Sequence, residues 1–347
     1  MTESATRTGM SSLPVGLIGC GTMGGSHARQ MAALADLHLA GACDVDEERA
    51  RQTATAAGGE VFVTTDLSAL LGRADIPAVL VATPNFTHRE VVLQAIGAGK
   101  DVFCEKPMAL SLADCEEMIA AARSAGRKLM VGQVLRLITV FATVRRLVDE
   151  GLIGPPRAMR ILRCSRRTES AEGPWRSSWR RSRANTGGLL FEINVHEFDF
   201  MRAILGEAAE VTAVAANFAH PEQDYEDHAV VTVRFRNGAI AFLETSTATA
   251  LGSTEGLITG ERGSIAYDWG RNSVSYRLTA SGASSEPVQV PVERDEGRSV
   301  QSELVSFARW VLYDEPPVVS AEDGRRAVQL AEAAYRSAQE RRAIAIA

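Results

Sequence analysis

The stretch Val15–His27 constrains this chain more than any other. Val15–Ile18 is a short apolar run of the kind that forms a buried parallel strand, and it leads directly into Gly19-Cys20-Gly21-Thr22-Met23-Gly24. An apolar-periodic segment follows from Met23 to Leu37, the pattern of a helix packed on one face. Strand, Gly-x-Gly-x-x-Gly and helix, in that order, are what a dinucleotide site requires. Gly19 permits the tight turn, Gly21 lets the backbone approach a pyrophosphate, and Gly24 lets the helix pack close to the strand. The helix N-terminus adds free N–H groups and the positive end of its dipole. A Gly-rich structural turn is the plainer reading, but the flanks favour a nucleotide site. Gly19, Gly21, Thr22, Met23 and Gly24 are therefore the first candidate cofactor-binding residues.

A second apolar run, Leu37–Cys43, ends in Asp44, 25 positions beyond Gly19. A dinucleotide fold places there the acid that accepts the ribose hydroxyls. Val45, Asp46 and Glu47 would repel a 2′-phosphate, and no arginine follows until Arg49, so NAD is preferred over NADP. Asp44 can equally cap the helix that starts near Glu47, with Asp46 able to share that work.

The alternation continues. Val61–Val63 reads as a short strand, with Asp66 capping a small helix, and Ala78–Ala82 as a buried strand stopping at Thr83-Pro84-Asn85. A helix follows from His88 to Ala98. Asp101–Cys104 is a strand leading into Glu105-Lys106-Pro107, Ser111 and Asp114 open a helix to Ala125, and Leu129–Gly132 is a further strand before Gln133. This spacing implies a parallel, doubly wound sheet with right-handed crossovers, whose ligands sit beyond the carboxyl ends of the strands. Gly19–Gly24, Asp44, Thr83–Asn85, Glu105–Pro107 and Gln133 all fall at such ends. Lys106 is the residue to single out there: it can bind phosphate, pair with Glu105 or act as an acid/base. The proline after it makes a cis Lys106–Pro107 bond an expectation.

By Glu105-Lys106-Pro107 the order of motifs resembles the glucose–fructose oxidoreductase and inositol dehydrogenase family, Gfo/Idh/MocA. The resemblance rests on Gly19–Gly24, Asp44, the Thr-Pro-Asn-x-x-His of Thr83–His88, and Glu105-Lys106-Pro107. Further on it rests on Gly187-Gly188 leading to His196, and on Ala333 and Ser337 in a C-terminal helix. It implies an α/β Rossmann domain over 14–133 and an α/β domain with an open, mainly antiparallel sheet over 134–347, after the polar, small-residue stretch that reads as a tail over 1–13. It further implies NAD(P)-dependent oxidation or reduction of a polyol, sugar or cyclitol, in a homodimer or homotetramer built through the C-terminal sheet. Thr83, Asn85, His88, Glu105, Lys106 and Gln133 would then join the cofactor set. Lys106 would be paired with His196 in proton transfer.

After Gln133 the pattern changes. A helix over Thr139–Glu150 precedes the break Gly151–Pro156, and Arg157–Cys164 reads as a strand. The loop Ser165–Thr186 carries Arg166, Arg167, Arg176, Arg180, Arg181 and Arg183 with Trp175 and Trp179. Aromatics among arginines suit nucleic acid, but in an otherwise acidic chain an oligomer contact or a lid whose Trp face packs on a sugar is the better reading, and the family resemblance around the Trp and the following Gly pair implies the lid, with Trp179 on the sugar. Gly187-Gly188 opens an expected helix Leu189–Leu205. On it Glu192, His196 and Asp199 are spaced i, i+4 and i+7, one helical face. Three polar groups there would be costly to bury without a role, which makes His196 a candidate general acid/base oriented by Glu192. The family's pattern has Asp where this chain has Glu192, and often Gly where it has Asn194. Asn194 joins Trp179, Glu192, His196 and Lys106 as a candidate substrate contact. The run His196-Glu197-Phe198-Asp199 is closer to the inositol-dehydrogenase branch. Strands over Ala209–Phe218, Asp227–Arg236, Ala239–Thr245, Glu255–Thr259, Ser264–Asp268, Val274–Arg277 and Val288–Val292, then helices over Val300–Leu312 and Ala321–Arg341, complete the scaffold.

The 347 residues suffice for two cores, and 46% hydrophobic with 23% charged residues is an ordinary soluble composition. A net charge of −6 argues against general nucleic-acid binding. No apolar run approaches a membrane span, and Met1–Ser12 has no hydrophobic signal core, so a cytoplasmic enzyme is expected. Five cysteines without Cys-x-x-Cys spacing indicate neither zinc nor a disulfide framework. His27, His38, His220 and His228 show no ligand spacing, and no metal is expected. The whole reads as an NAD-dependent dehydrogenase of a cyclitol or sugar. The alternatives are a glycoside 3-dehydrogenase, a reductase of another substrate, or a non-catalytic nucleotide sensor.

Overall fold

The computed structural model describes residues 11–166, 178–279 and 286–347. The chain divides into two compact units: 1–134 with 297–325, and 135–296 with 326–347. The first unit opens with β1 (Leu13–Ile18), α1 (Thr22–Met31), β2 (Leu37–Cys43), α2 (Glu47–Ala57), β3 (Phe62–Thr64) and α3 (Leu67–Leu71). It continues with β4 (Ala78–Val81), α4 (His88–Gly97), β5 (Asp101–Glu105), α5 (Leu112–Ala125) and β6 (Leu129–Gly132). The six strands form a parallel sheet in the order β3-β2-β1-β4-β5-β6, as the alternation demands. Register brings the strand ends level: Ile18 stands opposite Cys43 and Val81, and Cys104 opposite Val131. Gly19, Asp44, Ala82, Glu105 and Gln133 therefore leave the sheet along one edge.

Local signals place these elements. Asp66 caps α3 through Ser68 N–H, and Ser111 caps α5 through Asp114 N–H. The expected tail ends earlier than residue 13, because Leu13 is already a fully buried residue of β1; residues 1–10 lie outside the described ones. The first helix stops at Met31, short of the expected Leu37. The apolar positions that carried the periodicity onward belong to the turn and to β2.

The second unit holds α6 (Thr139–Asp149), β7 (Pro156–Arg166), α7 (Arg183–Thr186), α8 (Leu189–Glu192) and α9 (Val195–Leu205). Strands β8 (Ala208–Ala216), β9 (His228–Phe235), β10 (Ile240–Ser246), β11 (Ala248–Gly260), β12 (Gly263–Asp268), β13 (Ser273–Leu278) and β14 (Val288–Val290) follow. With β15 (Ile344–Ala345) they make a nine-stranded sheet in the order β14-β13-β12-β11-β7-β10-β9-β8-β15. Among the described residues, only β10 and β7 of this sheet pair in parallel, so it is mixed and mostly antiparallel. One face is closed by Phe141 of α6, whose ring meets Phe200, Tyr267 and Trp269 edge-on at 5.0–5.4 Å.

Two expectations change. The single helix Leu189–Leu205 is two helices, broken at Ile193 and Asn194, where Asn194 sits at φ −93° and ψ 0°. Asparagine is a poor interior helix residue because its amide competes for local partners, and here Asn194 Nδ2 donates to Glu197 Oε2 at 3.0 Å. Nor is the segment after 134 continuous: α10 (Arg298–Tyr313) belongs to the first unit. Its Leu304, Phe307, Ala308, Val311 and Leu312 share a core with Leu13, Val15, Leu17 and Phe103. The last helix, α11 (Ala321–Glu340), spans the division between the units. Within the second unit its Ser337 Oγ accepts from Ala213 N–H and donates to the Arg342 carbonyl.

Candidate functional site

The glycine turn is built by close approach. Gly19 has φ +90°, and a Cβ there would stand 2.7 Å from the Ala82 main chain. A Cβ on Gly24 would stand 1.9 Å from the Gly19 carbonyl oxygen, so α1 can lie against the turn only with glycine at this position. At Gly21, by contrast, a Cβ would meet nothing within 4 Å. Gly21 is also the N-cap of α1, which has no side-chain cap and no acid in its first turn. Thr22 and Met23 in that turn are exposed. An uncapped helix start facing open space over a glycine fits a dinucleotide pyrophosphate.

The cap of α2 is not Asp44. Asp46 caps α2, accepting from Glu48 and Arg49 N–H, while the buried Asp44 carboxylate turns back to the glycine turn. Its Oδ2 accepts from Cys20 N–H at 2.7 Å and its Oδ1 from Asp46 N–H at 2.9 Å. Each oxygen keeps a further lone pair, the provision two ribose hydroxyls need. Arg49, whose Nε is on Asp46 Oδ2, has Nη1 3.9 Å from Asp44. Burial first, and the Asp44 charge second, push the Cys20 thiol up to about 12, so it stays a neutral wall of the turn.

Beyond β4, Thr87 Oγ1 lies 2.8 Å from both Thr83 Oγ1 and the Pro84 carbonyl, and Asn85 is buried at the start of a 3-10 turn. His88 is buried, with Nδ1 2.8 Å from the Pro107 carbonyl and Nε2 3.0 Å from the Thr83 carbonyl. Its ring ties two loops together, a role that sequence spacing did not reveal. The Lys106–Pro107 bond is cis, as expected. Lys106 itself is half-buried, and its main-chain N–H donates to Glu105 Oε2 at 3.1 Å. Glu105 Oε1 lies 2.6 Å from His27 Nε2. Burial alone would raise the Glu105 pKa, but the His27 hydrogen bond and charge, with Lys106, hold it below the usual carboxylate range. Gln133 is buried just past β6.

In the second unit His196 is half-buried on the first turn of α9, while Glu192 ends α8 and Asn194 lies in the break. Both acids expected on the His196 face are engaged by arginines. Glu192 Oε1 accepts from Arg180 Nε at 2.9 Å. Asp199, with no exposure, takes a bidentate pair from Arg136 Nε and Nη2, each at 2.6 Å. Arg136 was not singled out from the sequence; it follows Gln133 with no spacing that links it to Asp199. Asn194 is fully buried, its Oδ1 has no hydrogen-bond partner, and Arg163 stacks on Trp269 at 4.3 Å with Nε 3.4 Å from Glu197. Trp179 lies in a 3-10 turn with the Arg180 guanidinium 4.3 Å over its ring. Trp175, Arg167 and Arg176 lie outside the described residues.

The five cysteines are all buried and unbridged. The described residues include one group of potential metal-ligand side chains, His27, Glu105 and Glu303. Among those residues, no helix is long and apolar enough to cross a membrane.

Residues 13–133 match the family model described as "Oxidoreductase family, NAD-binding Rossmann fold", and residues 145–346 match that of its C-terminal alpha/beta domain. The chain is similar to a myo-inositol 2-dehydrogenase of Thermotoga maritima, with 31% identity over 95% of this chain and 97% of that protein. It is also similar to a 1,5-anhydro-D-fructose reductase of Ensifer adhaerens, with 33% identity over 75% of this chain and 77% of that protein. Among solved structures, a protein of gentamicin A biosynthesis in complex with NAD superposes with a TM-score of 0.82 and 30% identity, over 97% of each chain.

Proposed function

From a chain that belongs to the Gfo/Idh/MocA oxidoreductase family, we infer an NAD-dependent dehydrogenase of a secondary alcohol on a cyclitol of inositol type or a related sugar. The observation that carries the substrate class is the near-full-length likeness to a myo-inositol 2-dehydrogenase. When bound, NAD supplies the hydride acceptor. The glycine turn and the first turn of α1 hold the pyrophosphate, and Asp44 holds the adenosine ribose. His196 takes the proton of the reacting hydroxyl; Glu192, itself held by Arg180, orients it. Lys106 hydrogen-bonds the reacting oxygen and shares the proton transfer, with the Glu105 anion as its neighbour. Asn194 Oδ1, buried and without a hydrogen-bond partner, is an acceptor for a substrate hydroxyl.

The outward face of the nine-stranded sheet carries Ile240 at 54% and Val214 at 65% exposure, which supports association of copies through that face. A reductase working on an anhydro-ketose in the opposite direction is the second reading, favoured by the likeness to a 1,5-anhydro-D-fructose reductase. The test is NADH absorbance on mixing the protein and NAD with inositols, monosaccharides and glycosides, and its loss on mixing NADH with the matching ketones. Growth of the signal with an inositol supports the first reading, and decay with an anhydro-ketose alone the second. Silence across both panels, with NAD bound, overturns both and leaves a nucleotide sensor.

A further inference from the structure

Three ionisable side chains meet in the interior of the first unit, from elements far apart in sequence. His27 of α1, Glu105 at the end of β5 and Glu303 of α10 are all buried, and one ligand-type atom of each lies within 4.8 Å of the other two. The surroundings are apolar: Phe103 meets the His27 ring edge-on at 5.7 Å, and Phe307 meets Phe103 at 5.9 Å. Glu105 divides its two oxygens, Oε1 to His27 and Oε2 to the Lys106 main-chain N–H. Glu303 Oε2 and His27 Nδ1 are buried without a hydrogen-bond partner.

We propose that Glu303 is a positioning residue for the Lys106 end of β5: with His27 it flanks the Glu105 carboxylate and fixes its orientation on the Lys106 main-chain N–H. The inference rests on the reading of Lys106 as a proton-transfer residue. Two carboxylates in one dry pocket do not both ionise. Burial, then the Glu105 charge, raise the Glu303 pKa well above the ordinary glutamate range, while His27 and Lys106 lower that of Glu105. Glu303 is thus the neutral acid and Glu105 the anion. A neutral carboxyl beside the anion presents a dipole without adding charge, so the full Glu105 charge stays next to Lys106. The ionisable groups facing Glu303 are Glu105 from β5 and His27 from α1. Of β1 and β2, which also pack on α10, β1 carries no ionisable residue, while β2 carries His38, exposed and bonded to Ser12, and the buried Cys43, whose thiol burial pushes up to about 11.

A shared proton suits this cluster better than a metal ion. Its His27–Glu105 separation of 2.6 Å is that of a hydrogen bond. Ligand atoms at about 2.0–2.1 Å from a tetrahedral zinc stand roughly 3.3 Å apart.

Glu303→Gln and Glu303→Leu in the full chain test the proposal. The infrared difference between wild type and Glu303→Gln, recorded without cofactor at neutral pH, is expected to show a carboxylic-acid C=O stretch. Glu303→Gln is expected to keep kcat and its pH profile within about threefold, because it retains a neutral polar group at the same place. Glu303→Leu is expected to lower kcat about tenfold at unchanged KM for NAD and to move the acidic limb up by about one pH unit, because Glu105 loses a polar neighbour in an apolar pocket and gains proton affinity. Three results each overturn the proposal: no acid band, a Glu303→Gln profile shifted as far as that of Glu303→Leu, or a stoichiometric metal ion bound by wild type and lost from Glu303→Gln. The infrared band needs no turnover. Unimpaired turnover in Lys106→Ala would therefore remove the catalytic reading of Lys106 separately, with the Glu303 protonation state still measured.

Discussion

Arg136→Leu removes the guanidinium from a carboxylate that has no solvent exposure, since both oxygens of Asp199 are held by Arg136 at 2.6 Å. Breaking a buried pair by removing one partner costs about 3–5 kcal/mol. The carboxylate can escape by taking a proton, and that route sets a ceiling. From a reference aspartate pKa of about 3.9, protonation costs about 1.36 kcal/mol per pH unit, roughly 4 kcal/mol at pH 7 and about 1.5 kcal/mol at pH 5. The variant is therefore expected to lose about 3–4 kcal/mol at pH 7 and about 1.5 kcal/mol at pH 5. The sign follows from linkage: the folded variant holds a proton on Asp199 that the unfolded chain releases, so its deficit grows as pH rises above the reference value. Urea unfolding followed by circular dichroism at both pH values measures it. Arg136→Leu combined with Asp199→Leu should recover most of the loss, because neither charge of the pair is left without the other. A loss under about 1 kcal/mol at pH 7, or one equal at the two pH values, refutes the reasoning.

Gly24→Ala should abolish NAD binding by fluorescence titration, because its Cβ would fall 1.9 Å from the Gly19 carbonyl oxygen and push α1 off the turn; binding within threefold of wild type would contradict this. Lys106→Ala and His196→Ala should each lower kcat by roughly 10²–10⁴-fold while retaining NAD affinity, and unchanged turnover in either removes its role. Glu303, with its pKa raised on folding, stabilises the fold below its unfolded value of 4.5, and that contribution is lost as pH rises toward the folded value. The urea midpoint of Glu303→Gln should therefore gain on wild type as pH rises from 5 to 8, and a constant difference would speak against it. Ile240→Glu should lower the mass seen by light scattering if the sheet face joins copies, and a wild-type monomer at micromolar concentration would remove the interface.

The sequence by itself determined the parallel sheet of the first unit. Short apolar runs alternating with capped helices permit few topologies other than a parallel doubly wound sheet, and every strand end named from spacing lies on the same edge. It also placed Asp44, because the acid after the second strand is fixed by the length of one β-α-β unit. Asp44 and Asp46 were interchangeable as helix caps until the structure showed Asp46 bonded to α2 and Asp44 to Cys20 N–H.

Tertiary structure decided what depends on side chains brought from afar. Helical periodicity put Glu192, His196 and Asp199 on one face of a single helix; the chain makes two helices there, and Arg180 and Arg136 hold the two acids, partners that no spacing foretold. The helix α10 reads from sequence as part of the second domain, yet its apolar face completes the core of the first, against residues as far back as Leu13. Carrying Glu303 to His27 and Glu105 is a consequence of that packing. Local spacing encodes turns, caps and strand ends because they are made by neighbours. A buried charge is set by whichever residue folding places beside it, and no short-range pattern records that choice.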